Sequence, residues 1–440
     1  MENKKNKFLF GALVMASVLS FSCKQNDQIV DQNVTPAPEV PAPSTNELFT
    51  YFGAPSDPTN AQSLDAMWAK AEKLTVSATV PNPAPPKLFQ GYWGNTYAVD
   101  MRSITDTVAG KIYFLIEYND ATKGYDQAPY YFNPTTHLWA KESSNPVFDT
   151  TTGVMTRLGI NEDKFGMLWN ISCAGFAAQS CYGSCHTYYS SGAVNSGTGN
   201  HWTANYLEKV DQWHFYMMRG SYYNQLSDEF QDDGYSGSGY TPSLTNGRHV
   251  DQIGTTAGAK GPANNQQTLK LSNKTTVSTT VPLWIYLNPT GNQKYYILDK
   301  DTLNTAICKF ILSVDSMGVL SYGSARGGAV EGTIDPNGDA GFLQGANSAL
   351  AAKGFPSILV APYEGSRADV GANTYHDGSK WHIILSRKLK TDDVLKQDVD
   401  FSDRQDKLFG IGVFNNANNQ HAICPGLVLK FKKEVALPIN

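Results

Sequence analysis

Charged residues are scarce in this sequence. They make up 17% of the 440 residues, against 41% for the hydrophobic types, and this balance excludes a globally disordered chain. Cationic residues are not in excess either, because the formal net charge is −5 at pH 7. Proteins that bind phosphate backbones need a basic surface, so the composition argues against nucleic acid as a partner.

Long helices and internal repeats are also missing. No long stretch shows helical periodicity, no fixed-period repeat is present, and the glycines of residues 322–354 do not follow the strand-then-helix order of a phosphate-binding loop. The chain is instead rich in aromatic residues (12%) and contains 38 Gly and 22 Pro. This mixture favours strands joined by tight turns.

The strand candidates are short apolar or alternating segments bounded by Gly, Asp, Asn or Pro. The clearest are YAVDMRSI, KIYFLIEY, TTVPLWIYL, KYYILD, FPSILVAPY, KWHIILSRKL, LFGIGVF and GLVLKF. KIYFLIEY is apolar on both faces and is predicted to be a central strand. The sequence therefore predicts an all-β chain, with one antiparallel β-sandwich over residues 48–440, long loops and few short helices.

The N-terminus has the features of an export signal. Lysines form a basic region, FLFGALVMASVL is an apolar run too short for a comfortable membrane span, and SFSC ends at Cys23. A cysteine after a small residue at this place is typical of a lipobox, which predicts a lipoprotein signal peptide over residues 1–23 and a diacylated Cys23. A simple signal peptide cut near Ser22 is the alternative. Residues 24–47 are polar and then Pro-rich, as in a disordered tether.

The export signal predicts the compartment in which the protein functions. Both alternatives for the signal peptide take the protein out of the cytoplasm, to the periplasm or the cell surface, where thiols face an oxidising compartment. With Cys23 acylated, we expect the mature chain to be anchored to a membrane by its lipid.

The segment CYGSCH combines two thiols with an imidazole, at Cys181, Cys185 and His186. A cysteine followed directly by histidine is the chemistry of covalent haem attachment, in which sulfur holds the porphyrin and the ring nitrogen reaches the iron. The usual spacing is C-x-x-C-H, and this segment has one residue more. A Cys181–Cys185 disulfide beside a loop histidine is the alternative, and a zinc site would need a fourth ligand.

With these segments in view, the chain resembles the haem-binding domain of ethylbenzene-dehydrogenase type, the gamma-subunit family of DMSO-reductase-like enzymes. The resemblance covers about residues 48–433. It implies a β-sandwich of immunoglobulin-like or DOMON-like type that holds one haem between loops and serves electron transfer. The blocks that carry it, in the family's order, are LDAMWAKAEKLTV, CYGSCH, KVDQWHFYMMR, NGRHVDQ, GFPSILVAPYEGSRADV, KWHIILSRKL and DKLFGIGVFNNANNQHAICPGLVLKF.

The resemblance also implies the iron ligands. The first comes from the loop that here reads CYGSCH, where His186 is the donor. The second comes from just before the last strand, where a better-known family member has a lysine and this sequence has His421. Two imidazoles would give low-spin iron suited to electron transfer. The haem is expected to be c-type through Cys181 and Cys185, or b-type and non-covalent.

Further candidates surround this site. Trp213 and His214 are expected at the pocket wall, with a hydrogen-bonded core histidine as the alternative for His214. Arg219, Arg248 and Arg367 match the geometry of haem propionates. The alternative for these arginines is a structural ion pair with one of the acidic residues Asp211, Asp251 and Asp369.

The leading hypothesis is therefore an exported, lipid-anchored cytochrome that exchanges electrons with a redox partner, a molybdoenzyme or another cytochrome. No nucleophile, paired acid or molybdenum-cofactor motif is visible, so the chain is predicted not to be an enzyme. A second hypothesis is a surface β-sandwich that binds glycans through exposed Tyr and Trp, without haem. A hydrolase is a third, for which no carboxylate pair stands out.

Overall fold

The computed structural model describes residues 46–79, 96–144, 147–149, 155–157, 159–179, 184, 201, 203, 205–233, 247–251, 261–272, 274–287, 297–343, 351, 353–418 and 421–431. These residues form 25 strands. In the first half of the chain they are β1 (Glu47–Phe52), β2 (Leu74–Thr79), β3 (Thr96–Asp106), β4 (Lys111–Asn119), β5 (Tyr130–Asn133), β6 (Leu138–Lys141), β7 (Val147–Phe148), β8 (Met155–Arg157), β9 (Lys164–Asn170), β10 (Val210–Tyr216), β11 (Ser227–Gln231) and β12 (Arg248–Val250). In the second half they are β13 (Ala263–Asn264), β14 (Gln267–Leu271), β15 (Lys274–Val281), β16 (Trp284–Tyr286), β17 (Leu298–Asp299), β18 (Cys308–Val314), β19 (Leu320–Gly323), β20 (Gly332–Ile334), β21 (Ile358–Val360), β22 (Gly371–His376), β23 (Lys380–Lys388), β24 (Lys407–Phe414) and β25 (Ala422–Phe431).

Helical structure is confined to single turns within the described ranges. The α-helices are α1 (Phe176–Gln179) and α2 (Met217–Ser221), and 3₁₀ turns occur at Ala66–Ala69, Thr302–Asn304, Ala340–Phe342 and Gly365–Ala368. None of these helices is long and apolar enough to cross a membrane. The predicted all-β class with few short helices is confirmed.

Twelve of the 25 described strands join one large sheet. Its order is β12-β11-β10-β9-β24-β25-β1-β3-β4-β23-β22, and β2 pairs with β3 and β25. Adjacent strands are antiparallel except at β1, which runs parallel to both β25 and β3. The segment KIYFLIEY forms β4 between β3 and β23, and it is buried from Ile112 to Ile116. Its predicted central position is confirmed.

The large sheet curls until its two halves face each other. Strand β4 is not a neighbour of β9 or β10 in the sheet, yet Phe114 of β4 lies 5.4 Å from Trp169 of β9 and 5.8 Å from Trp213 of β10, measured between ring centroids. Phe401, which follows β23, completes this aromatic core at 5.1 Å from Trp169. The predicted sandwich is therefore made from a single continuous sheet, whose inner face carries the main hydrophobic core.

A second sheet has a core of its own. Its order is β15-β14-β18-β19-β20, with β16 on β18, and it packs with Phe132 of β5 and Trp139 of β6. The sequence predicts only turns in residues 322–354, whereas the structure places the end of β19 and all of β20 there. This sheet is hard to predict because β15 reads KTTVSTTV, in which exposed Thr and Ser obscure the apolar alternation.

Asp163 links three segments next to the main core. Its carboxylate accepts hydrogen bonds from the backbone N–H of Gly124 at 2.7 Å, the backbone N–H of Asn416 at 2.8 Å and the indole N–H of Trp381 at 3.1 Å. These residues follow β4, follow β24 and belong to β23, respectively. A single buried side chain thus ties both halves of the sandwich together.

The substitution Asp163→Ala tests this link. It leaves three donors without their acceptor, so we expect the free energy of unfolding to fall by about 2–4 kcal/mol in urea denaturation. Asp403→Ala, at an exposed position, is the control and should cost less than about 1 kcal/mol. Equal stability of the two variants would contradict this role.

Candidate functional site

Strand β10 places alternate side chains on opposite faces of the large sheet. Trp213 and Phe215 belong to the core between the sheet halves, where the Trp213 ring lies 5.4 Å from that of Trp169. His214 and Tyr216 lie on the other face, here called the outer face, with ring centroids 4.1 Å apart. Trp213 was predicted as a cofactor contact, and its ring lies on the opposite side of β10 from His214.

Two glycines continue the outer face beside His214. Across the sheet, His214 is paired with Gly166 of β9, and Gly166 is paired with Gly412 of β24. A strand glycine permits close approach of another group, and two adjacent ones leave a trough, here called the glycine trough. A Cβ atom on Gly412 would lie 3.3 Å from Cδ2 of His421, so the His421 ring lies over this glycine.

Flat rings flank the glycine trough. Phe414 stacks on His421 with centroids 4.3 Å apart and an interplanar angle of 20°. On its other side, Phe414 lies 5.6 Å from His214 at an angle of 28°. Tyr216, His214, Phe414 and His421 thus form a row of nearly parallel rings, an arrangement that suits a planar aromatic ligand.

One end of the trough is cationic. The Nζ atom of Lys164 lies 5.5 Å from the Phe414 ring and 5.8 Å from the Tyr216 ring, and the Arg219 guanidinium lies 3.8 Å from the Tyr216 ring. Burial, together with the positive charges of Arg219 and Arg248, lowers the pKa of Lys164 to about 7. The positive charges of Arg219 and Arg248, which contribute to this shift, would also attract an anion.

Two buried glutamates partly offset these cations. Arg219 pairs with Glu162 at 2.5 Å, and Arg248 pairs with Glu229 at 2.5 Å. Structural ion pairs therefore exist for both arginines, but with partners other than the aspartates considered from the sequence. Asp211 cannot form an ion pair with Arg219 or Arg248 because it lies on the inner face of β10, where its partner is Arg387.

Arg367 reaches the same region from the segment between β21 and β22. Its Nε atom donates a hydrogen bond to Ser227 Oγ at 2.9 Å, and Ser227 is paired with His214 across β10 and β11. Its guanidinium lies 4.5 Å from the Tyr363 ring. Arg219, Arg248 and Arg367 are thus all brought near His214.

The contacts of His214 fix its tautomer. The Nη2 atom of Arg248 lies 2.6 Å from Nδ1 of His214, and because a guanidinium only donates, Nδ1 must accept. Burial and the charges of Arg248 and Lys164 hold the pKa of His214 well below its usual value. The ring is therefore neutral and carries its proton on Nε2.

That Nε2–H group has no hydrogen-bond partner among the described residues. The side chain of His214 is only 7% exposed, and a buried donor without an acceptor is costly. With cations on several sides, the missing acceptor is best supplied by a carboxylate. His214 is thus better suited to bind a carboxylate than to bind a metal through Nε2.

The other end of the outer face is apolar. Leu168 of β9, Val210 of β10 and Leu408 of β24 pack there with Cys173 and Phe176. The outer face therefore changes from cationic to apolar along the glycine trough. A flat ligand with an apolar body and an anionic edge matches this gradient.

Several of the predicted residues lie outside the described part of the chain: Cys23, Cys181, Cys185 and His186. Ser184, within CYGSCH, is described and is fully buried. Of the two predicted iron ligands, the structure places His421, whose ring lies at the trough. Whether His186 faces it stays a prediction.

Sequence reasoning missed several residues of this site: Lys164, His201, Gly166 and Gly412, and also Tyr216, Phe414, Glu162 and Glu229. His201 lies close enough to Arg248 and His421 that burial and their charges lower its pKa to about 4. The glycines did leave a signal, since isolated glycines inside the strands KFGMLWN and LFGIGVF mark a close approach. No sequence pattern marks Lys164 as a site residue, because lysine is common at the start of a strand.

Most of the chain matches the model of one known protein family. The family model described as ethylbenzene dehydrogenase matches residues 65–305 and 317–423. The chain belongs to the ethylbenzene dehydrogenase family. The resemblance predicted from the order of the sequence blocks is thus confirmed, and the matched ranges include both His214 and His421. No curated protein matches the chain.

The haem implied by the resemblance to this family can be tested against the outer face. Gly166 and Gly412 place no side chain on this face, the apolar end suits the hydrocarbon edge of the ring, and His421 supplies an imidazole. The Nε2–H of His214, for which no acceptor lies among the described residues, and the nearby arginines suit the carboxylates of the propionates. These residues therefore fit a haem.

The pair Arg248–Glu229 can be tested without any cofactor. Arg248→Met leaves the carboxylate of Glu229, whose side chain is 4% exposed, buried without its charge partner, so we expect a loss of about 2–4 kcal/mol in chemical denaturation. Lys73→Met removes a more exposed pair with Asp100 and should cost less than about 1 kcal/mol. A loss at Arg248 no larger than that at Lys73 would show that the pair does not hold the site together.

Proposed function

We propose that this member of the ethylbenzene dehydrogenase family is an exported, lipid-anchored haem protein that passes electrons to or from a partner redox protein. The observation that carries the proposal is the buried Nε2–H of His214 at the cationic end of the glycine trough, for which the described residues supply no acceptor. It calls for an anionic group where the family resemblance implies a haem with two carboxylates.

Each residue of the outer face has a role in this proposal. His421 binds the iron through its imidazole, with His186 as the second ligand. His214 and Arg248 bind a propionate, because the Arg248 guanidinium fixes the tautomer that presents Nε2–H. Glu162 and Glu229 hold Arg219 and Arg248 in place. Gly166 and Gly412 keep the trough open.

A haem with two imidazole ligands supplies low-spin iron that changes oxidation state with little rearrangement. The protein's part is to set the potential through the surrounding charges and the exclusion of water. The chain itself is then a carrier rather than a catalyst. Its partner is a redox protein, a molybdoenzyme or another cytochrome, and its lipid anchor is Cys23.

The glycan-binding alternative has less support. Sugar faces stack on exposed flat rings, whereas Trp68, Trp139, Trp169, Trp213 and Trp381 are all buried. On the outer face His214 is buried, whereas Tyr216, Phe414 and His421 are half-buried. Tyr206 and Tyr222 are exposed, but neither lies in the row of rings at the glycine trough.

Absorption spectra of the exported protein, expressed with a supply of haem, test the proposal. We expect a Soret band with low-spin features in the wild type. His421→Ala should lose the low-spin features because it removes an iron ligand, and His382→Ala, in β23 at a distance from the trough, should keep them. A wild-type protein without any Soret band would overturn the proposal.

Filling the trough is a second test of the same site. Gly412→Val places a branched side chain against His421, so haem affinity should fall about tenfold or more in titrations. Gly338→Val, in an exposed turn near the second sheet, is the control and should bind haem as the wild type does. Unchanged affinity in Gly412→Val would place the haem elsewhere. Acid-acetone extraction then separates thioether-bound haem, which stays with the protein, from non-covalent haem.

A further inference from the structure

Four aspartates come together on the inner side of the large sheet. Asp211 belongs to β10, Asp228 to β11, Asp251 directly follows β12, and Asp398 lies in the segment between β23 and β24. The first three are 0% exposed and Asp398 is 9% exposed. This group, here called the aspartate cluster, lies on the face of β10 opposite His214 and is separate from the proposed haem site.

Strand pairing explains how the cluster forms. Asp228 is paired with Trp213 across β10 and β11, so its side chain lies on the inner face as the Trp213 ring does. The backbone N–H of Asp251 donates to the carbonyl of Asp228 at 3.2 Å. Three neighbouring strands thus each direct one carboxylate into the interior.

One cation of the protein faces this cluster. Arg387 of β23 donates to Oδ2 of Asp211 at 2.8 Å, and its Nη1 atom lies 3.7 Å from Oδ1 of Asp398. The same Asp211 oxygen also accepts from the backbone N–H of Val399 at 2.9 Å. Arg387 offsets one of the four negative charges, and burying the remaining carboxylates as ions without further compensation is strongly unfavourable.

Many of the carboxylate oxygens have no partner. In the described part of the chain, no hydrogen bond reaches Oδ1 of Asp211 or either oxygen of Asp228. Asp251 and Asp398 lie close enough for their carboxyl groups to share a hydrogen bond. Burial and the neighbouring carboxylates raise the pKa of Asp228 and of Asp251 well above the usual value. Fully buried carboxylates without hydrogen-bond donors are rare unless a bound ligand contacts their oxygens.

The spacing of the oxygens suits a metal ion. Asp211, Asp228 and Asp398 each offer one oxygen, and these atoms lie within 4.8 Å of one another. Oxygens that share one Ca²⁺ lie at about 2.3–2.6 Å from it, hence at most about 5 Å apart. Asp251 lies next to Asp398, whose charge is among the causes of its raised pKa, and it offers two more oxygens.

We propose that Asp211, Asp228 and Asp398, with Asp251 beside them, bind a divalent cation, and that Ca²⁺ is preferred over Mg²⁺. Ca²⁺ accepts six to eight oxygens in irregular geometry, whereas Mg²⁺ demands a regular octahedron and gives up its waters reluctantly. The ion ties β10, β11 and β12 to the segment after β23 and therefore stabilises the two halves of the sandwich against each other. The site does not depend on the haem.

Metal analysis and thermal unfolding of the full chain test the proposal. We expect the purified protein to contain one Ca²⁺, and removal by EGTA should lower the melting temperature by about 3 °C or more. Added CaCl₂ should restore it, and MgCl₂ at the same concentration should not. An equal response to Mg²⁺ would overturn the preference for Ca²⁺.

Matched variants separate a metal site from a structural cluster. Asp228→Asn and Asp251→Asn are isosteric. The first disturbs no hydrogen bond of that carboxylate among the described residues, and the amide of the second can still donate to Asp398. Each variant should therefore fold, while Ca²⁺ affinity falls about tenfold or more. After EGTA treatment each variant should be at least as stable as the wild type, because one buried negative charge is gone. Asp335→Asn, at an exposed turn, should keep the wild-type response.

A different result would overturn the proposal. If the wild type contains no metal and neither EGTA nor Ca²⁺ changes its melting temperature, the carboxyl groups are protonated instead. A raised pKa in the folded state means that stability is lost as pH rises. The melting temperature would then increase as pH falls from 8 to 6, and Asp228→Asn would flatten that increase.

Discussion

The two-residue alternation of β9, β10 and β24 is the constraint on which the rest of the structure depends. The same strands that direct Trp169 and Trp213 into the core direct Gly166, His214 and Gly412 outward. A slip of one residue in the pairing would turn His214 into the core between the sheet halves and the tryptophans onto the outer face. The large aromatic core therefore holds the strand register, and the register in turn sets the position of His214 relative to the glycine trough.

The two faces of β10 carry opposite excesses of charge. Asp211 and Asp228 lie inside with Arg387 as counterion, whereas His214 lies outside among Lys164 and arginines paired with glutamates. In both places the described residues offset the charge only in part and leave polar atoms without hydrogen-bond partners among themselves. The two proposals fill these uncompensated sites with ligands of opposite charge. The outer face would bind the carboxylates of a haem, and the inner face would bind a divalent cation.

Much of the fold could be predicted because several strands have a clear sequence pattern. KIYFLIEY, KWHIILSRKL and LFGIGVF are short, apolar and bounded by turn residues, and each forms a strand of the large sheet. Of the second sheet, the predicted segment TTVPLWIYL contains the end of β15 and all of β16. Most of the sheet could not be predicted, because a strand such as KTTVSTTV shows little apolar alternation. The parallel position of β1 between β3 and β25 depends on contacts between distant parts of the chain that local pattern does not encode.

The candidate site was predictable in its residue types and less so in its geometry. His214, Arg219, Arg248 and His421 were identified from sequence, and the structure brings them to one face. The sequence alone does not show whether Trp213 or His214 faces the core, because large rings occur on both faces of VDQWHFY. The pairing of Arg248 with Glu229 rather than an aspartate follows from strand register, which one sequence leaves open.

The most direct test of the central claim is glycine-selective NMR during titration of the apo-protein with haem. The account predicts that the amide signals of Gly166 and Gly412 shift or broaden at stoichiometric haem, because the ring lies over the trough. The signals of Gly323 and Gly332, in the second sheet, should stay in place. Haem binding that leaves Gly166 and Gly412 unchanged would contradict the account.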